Sequence, residues 1–279
     1  MLQVVPLRYG VAFKKAFRDV EVFRAFVADV LGIEIEISEV REEFTYPEPV
    51  GKAKAEYDLF AEDEKNRIIV ELQHVKEADF YDRFLYYHLV SLVEQVSGYR
   101  EYRLARTVYT VVVLTSVPRD RSADFAVAVS DMDVTDQHGK RLGVYRHRLV
   151  FLNARRASEQ MPAGVHKWLE LIEDTLDGAV EEERYEDEVR RRVIGAIRTE
   201  RITPEELARV KDEAAWEAAK QEARKEGLEE GIEKGIEKGI EKGSRRRSQE
   251  IARRMLEQGM SVEQVALLTG LPPDDVAGI

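Results

Sequence analysis

Asp58, Glu71 and Gln73 are of the types, and at the spacing, that could together carry out hydrolytic chemistry. Side chains alternate along a strand, so in Ile69-Val70-Glu71-Leu72-Gln73 the Glu71 and Gln73 side chains share a face that Leu72 does not. The polar turn Glu62-Asp63-Glu64-Lys65-Asn66 separates this run from Lys54–Ala61, and a hairpin about that turn carries Asp58 to the level of Glu71. Two carboxylates on one patch repel unless a hard divalent cation lies between them, and Mg²⁺ suits one or two carboxylates with retained waters. Such a cation acidifies a bound water and stabilises charge on a phosphoryl oxygen. Gln73 can orient the attacking water through its amide, and Glu56, two residues before Asp58, is an auxiliary ligand candidate on the same face. On an exposed hairpin the same residues would be an ordinary wet acidic surface. Ile68, Ile69, Val70 and Leu72 make the strand apolar enough for burial on both faces, and a buried carboxylate without a partner is costly.

The elements that must position these groups follow from periodicity. Residues 9–31 place Phe13, Ala16, Phe17, Phe23, Phe26, Val27 and Val30 at helical spacing, and Gly32 ends the pattern. Ile35 to Phe44 alternates as a strand until Pro47 and Pro49. After the hairpin, residues 77–99 form an amphipathic helix, and the β-branched run Val108 to Leu114 reads as a central buried strand. Phe125–Val134 and Leu142–Leu152 flank the turn Asp136-Gln137-His138-Gly139. The order predicts an α/β mixed sheet flanked by helices.

Composition narrows the class. The 279 residues are 44% hydrophobic, contain no cysteine and carry a net charge of −11. A disulfide framework, thiolate metal sites and a cysteine nucleophile are excluded, which fits a reducing, cytoplasmic setting. The N-terminus lacks the pattern of a signal peptide, and no apolar run is long enough to span a bilayer. The five histidines show no metal-ligand spacing, and there is no G-x-S-x-G, P-loop or G-x-G-x-x-G motif. Residues 1–156 hold 25 acids and 23 bases, whereas residues 157–279 hold 29 and 20, so most of the negative charge belongs to the tail.

The run Ala55-Glu56-Tyr57-Asp58, then Ile69 to Gln73, then Phe80-Tyr81-Asp82-Arg83-Phe84-Leu85-Tyr86-Tyr87 resembles the PD-(D/E)xK nuclease superfamily. Its nearest branch is the recombination-promoting nucleases, also labelled transposases. Phe13-Lys14-Lys15-Ala16-Phe17 matches that branch's FK..F helix, and Arg83, Tyr87, Gln95, Gly98 and Tyr99 fill its later places, across roughly residues 5–155. The resemblance implies a restriction-endonuclease-like fold and a Mg²⁺- or Mn²⁺-dependent DNA endonuclease, with Asp58 and Glu71 as ligands and Gln73 in the superfamily's lysine position. The sequence departs from the pattern at Tyr57 (for Pro), Gln73 (for Lys) and Gly10 (for an acid). Cations available to a phosphate backbone are Lys14, Lys15, Arg100, Arg103, Arg106 and the cluster Lys140, Arg141, Arg146 and Arg148. Arg83, on the helix after the catalytic strand, is placed to orient substrate or the carboxylates.

The expected organisation is a nuclease-like domain (1–156), a charged helical extension (157–226), a Gly-x-x-x repeat helix or spacer (227–243) and a small helical module (244–279). The repeat GLEEGIEKGIEKGIEKG permits either close helix–helix approach, hence a homo-oligomer (dimer), or a flexible spacer. The last segment resembles a helix-turn-helix, but its third piece is short and acidic (Asp274, Asp275), which suits packing or dimerisation better than groove reading. The sequence thus points to an endonuclease acting on DNA, with a catalytically degenerate binding module as the alternative.

Overall fold

The computed structural model describes residues 1–48, 53–74, 79–96, 102–116, 124–158 and 160–279. Gly98, Tyr99 and Arg100 lie outside the described residues. The chain divides into two compact units, residues 1–213 and 214–279.

In the first unit, strand β1 (Leu2–Gln3) precedes helices α1 (Gly10–Phe17) and α2 (Val20–Leu31). The continuous helical periodicity of residues 9–31 is therefore two helices. Asp19 divides them: its carboxylate accepts from the N–H groups of Glu21 and Val22 and caps α2, which Gly32 closes at φ 69°. The strand expected from Ile35 shrinks to β2 (Arg41–Phe44), and the hairpin follows as β3 (Tyr57–Glu62) and β4 (Asn66–Gln73). Asp63 fixes the turn by accepting from the N–H groups of Lys65 and Asn66. Helix α3 (Phe80–Val93) leads to β5 (Thr107–Leu114), β6 (Val127–Asp131) and β7 (Arg148–Asn153).

These strands form one mixed sheet in the order β2-β3-β4-β5-β7-β6, with β4, β5 and β7 parallel. Val108 to Leu114 of β5 are all buried, as a central strand covered on both faces requires. On one face α3 packs Phe80 and Phe84 against Val112, Leu114, Leu149 and Phe151. Between β6 and β7 the Asp133 carboxylate gathers the N–H groups of Gly143, Val144 and Tyr145, which ties down an irregular excursion.

Residues 157–213, the greater part of the expected charged extension (157–226), are packed into this same unit. Helix α4 (Ala163–Asp174) buries Trp168, Leu169, Leu171 and Ile172, and Trp168 meets Phe17 and Phe26 of α1 and α2. After β8 (Ala179–Val180), which pairs with β1, helix α5 (Glu188–Ile197) buries Val193, Ile194 and Ile197. Each helix is charged on average but apolar along one stripe, and the stripe is what packs.

Helix α6 (Pro204–Glu257) then runs unbroken through the Gly-x-x-x repeat, where Leu228, Ile232, Ile236 and Ile240 are exposed. The second unit closes on α7 (Val262–Thr269) and α8 (Pro273–Ala277), whose small core is Ala252, Val265, Leu271 and Val276. Ser261 and Gln264 form a reciprocal capping box at the start of α7. Among the described residues no helix is long and apolar enough to cross a membrane.

Candidate active site

The β3–β4 ladder pairs Leu59 with Val70 and stops there, whereas β4 stays paired to β5 as far as Gln73 opposite Leu114. One step beyond the last β3–β4 pair, the register sets Asp58 opposite Glu71. The strands fork at this level, and side chains replace the missing ladder bonds. The Asp58 N–H donates to Glu71 Oε1 at 3.2 Å, and the Leu72 N–H donates to Asp58 Oδ2 at 2.9 Å. The two carboxylates are interlocked through each other's strands, with one oxygen of each used in this way. The fork lies toward the carboxyl ends of the parallel strands, where open α/β sheets bind ligands.

Electrostatics makes the pair unusual. Glu71 is 5% exposed. Burial, and after it the charge of Asp58, holds its carboxyl well above the ordinary range. Burial also raises Asp58, partly offset by its bond from Leu72. Two acids this close and this dry favour a proton or a cation between them. Lys14 of α1 and Arg83 of α3 act on both carboxylates from the flanks and favour their charged forms. No three His, Asp or Glu side chains gather to hold a metal among the described residues. A two-carboxylate donor set with coordination left for water and phosphate is nonetheless what Mg²⁺ takes, so the residues fit that ion.

Gln73 lies two residues beyond Glu71 on the same strand, and its amide oxygen accepts from Arg83 Nη2. The Arg83 guanidinium rests on the Phe84 ring at 4.7 Å, and its Nε is buried with no partner. Tyr87 stands close by: burial, then the charge of Glu71, raises its phenol, whose oxygen also accepts the Glu56 backbone N–H. The Tyr57 hydroxyl donates to the Tyr87 carbonyl at 3.0 Å, which joins β3 to α3 beside the fork.

The other sequence-chosen residues are dispersed. Glu56 turns its carboxylate to Lys54 at 2.9 Å on the exposed side. Lys14 is nearly buried, with its Nζ on Glu43 at 2.6 Å, so it flanks the carboxylates and does not project from an open surface. Lys15 binds Glu206 at 2.6 Å and the Arg201 carbonyl at 2.7 Å. Arg103 is exposed. Arg106 donates to the Asp63 carbonyl. Arg141 binds Asp131 at 2.8 Å, and Lys140 is exposed beside it. Asp131 pairs with Arg148 at the amino end of β7, so this cluster lies at the other end of the parallel strands from Gln73.

Sequence reasoning missed Glu43. The β2–β3 register pairs Glu42 with Leu59 and Phe44 with Tyr57, which sets Glu43 opposite Asp58. Glu43, Asp58 and Glu71 thus form a row of acids across three adjacent strands. Glu43 is the one non-glycine residue with positive φ (49°) among the described residues. Its carboxylate takes Lys14 and also Arg209 of α6 at 2.8 Å. The pattern Arg41-Glu42-Glu43-Phe44 carries no signal that separates Glu43 from Glu42; only the cross-strand register does.

In comparisons with known proteins, residues 11–225 match the model of the PD-(D/E)XK nuclease family transposase. Residues 245–279 match that of the C-terminal HTH domain of the Rpn/YhgA-like nuclease family. No curated protein and no solved structure matches the chain.

Proposed function

The chain belongs to the PD-(D/E)XK nuclease family transposases, and from that premise we propose that it is a divalent-metal-dependent DNA endonuclease serving recombination or mobile elements. The observation that carries this reading is the interlocked, buried pair Asp58–Glu71 at the sheet fork. These two carboxylates would hold Mg²⁺ or Mn²⁺. When bound, the ion supplies Lewis-acid stabilisation of a phosphoryl oxygen and acidifies a water. The chain's own groups do the rest. Arg83 donates to the Gln73 amide oxygen and so fixes the amide that would orient the nucleophilic water. Lys14 and Arg83 put positive charge beside the point where negative charge grows on phosphate, taking over what a lysine at position 73 would supply.

DNA contact through residues 245–279 is supported by their HTH match. Helix α8 is five residues long and acidic, and Asp275 binds Arg245 at 2.6 Å. Arg246, Arg247, Arg253 and Arg254 on α6 are the module's other cations. We therefore favour phosphate contact by α6 over base reading by α8. A homodimer through the exposed stripe of α6 would bring two sites to one duplex, as cutting both strands requires.

The deciding experiment incubates the purified chain with supercoiled plasmid and Mg²⁺ or Mn²⁺. Nicked or linear product that EDTA abolishes, and that Asp58→Asn and Glu71→Gln each lose, is the expected result. Retention of DNA without cleavage under any divalent ion would mean a degenerate binding module instead.

A further inference from the structure

Lys14 is 9% exposed, and its ammonium lies close enough to act on both Asp58 and Glu71, yet its ion pair is with Glu43. Glu43 holds two cations at once, Lys14 at 2.6 Å and Arg209 at 2.8 Å, and these bonds keep its carboxyl below the usual range. Arg209 belongs to the opening turns of α6, which are pinned to the same corner by Lys15–Glu206 at 2.6 Å and by the Gly10 N–H on Glu213 at 2.8 Å. The Glu43 backbone sits at φ 49°, a conformation uncommon for a residue with a β-carbon. That conformation is maintained by its neighbours, and it occurs in the row of acids that crosses the fork.

We propose that Glu43 and Arg209 are positioning residues that station the Lys14 ammonium beside the Asp58–Glu71 pair, which makes the start of α6 a working part of the site. This rests on the nuclease reading of that pair. Without Glu43, a lysine flanking two buried carboxylates would swing onto them and occupy the place of the cation. With Glu43, the ammonium is held off by one ion pair and stays available to a phosphate oxygen. The Glu43–Lys14 link matters more than Glu43–Arg209, because Arg209 is largely exposed and its pair is screened by solvent.

The test measures plasmid cleavage by the full chain with Mn²⁺ for wild type, Glu43→Gln, Arg209→Ala, Lys14→Met and the double variant Lys14→Met/Glu43→Gln. Glu43→Gln should lower kcat by about tenfold or more with KM for DNA nearly unchanged, since a misplaced charge costs rate and not affinity. Arg209→Ala should lower kcat by a few-fold, and Arg209→Lys should restore most of it. The double variant should be no slower than Lys14→Met, because Glu43 acts through Lys14. Wild-type rates in Glu43→Gln, faster cleavage in either variant, or additive losses in the double variant would overturn the proposal. A second readout does not depend on activity. The Lys14 ammonium nitrogen resonance, assigned by its loss in Lys14→Met, should be visible in the wild type and shift in Glu43→Gln, as its partner changes from Glu43 to the Asp58–Glu71 pair. If the wild type cuts no DNA, the nuclease reading falls alone, and a resonance that stays unshifted in Glu43→Gln would then sink the positioning role by itself.

Discussion

Strand β4 buries two charged side chains on one face, four residues apart, and the fold treats them in opposite ways. Arg67, 4% exposed, is matched: Glu62 and Glu94 lie at 3.0 and 2.7 Å, the Ser91 carbonyl accepts a further bond, and Tyr46 and Phe60 cover the guanidinium. Glu71, equally buried, faces another acid. A buried charge whose partners neutralise it ties strands to helix. A buried charge set against its own sign is stable only with a proton or a cation, and that requirement is what marks it as a candidate site. The contrast marks Glu71, not Arg67, as the residue of β4 that calls for a proton or a cation.

The largest effect should come from the mismatched end. Asp58→Asn and Glu71→Gln keep the oxygens that accept the Asp58 and Leu72 N–H groups, so the fork should persist while cleavage falls by about 10³-fold, on the order of 4 kcal/mol in barrier. A variant that cuts plasmid at wild-type rate would break the comparison. The matched end should behave in the opposite sense. Arg67→Met should cost about 3 kcal/mol of stability in urea unfolding, since Glu62 and Glu94 lose their buried cation, with cleavage per folded molecule unchanged. Next comes metal linkage: Mn²⁺ at about 100 times its dissociation constant should stabilise the wild type by about 2.7 kcal/mol and leave Asp58→Asn where it was.

A smaller effect sharpens the electrostatics. Glu71 has a folded-state pKa above its ordinary value of 4.5, so the folded protein holds this proton more tightly than the unfolded chain. Stability from this group is fully present below 4.5 and is lost as pH rises through the raised folded value. Metal-free Glu71→Gln should therefore be more stable than wild type at neutral pH, by about 1 kcal/mol, with the gap closing on acidification. Equal stability at all pH values would remove the like-charge argument. Glu56→Gln should change cleavage least, within about twofold, because its carboxylate serves Lys54 on the surface.

The hairpin was the most legible part of the sequence. A turn rich in polar residues and two apolar runs fix the β3–β4 register by counting, and with it the level of Asp58 and Glu71. Asp19 was harder, because a capping side chain interrupts a helix without disturbing its hydrophobic period. Residues 157–213 were hidden by averaging: Trp168, Leu171 and Val193 lie on narrow apolar stripes within strongly charged segments. Glu43 was out of reach, since its place depends on where β2 begins and on a pairing with a strand more than a dozen residues away. The motif pointed to Arg83, but that Lys14 flanks the same carboxylates was not legible, because only packing brings α1 and α3 to one place.

The interlock at the fork has a spectroscopic consequence. The amide protons of Asp58 and Leu72 point at carboxylate oxygens, not at carbonyls of a neighbouring strand. Their chemical shifts must follow the charge on those oxygens, and their exchange with solvent must follow the closure of the fork. Two backbone signals on adjoining strands therefore report, separately for each carboxylate, whether it carries a proton, a metal or neither, and they do so in the native chain with no label at the reacting groups.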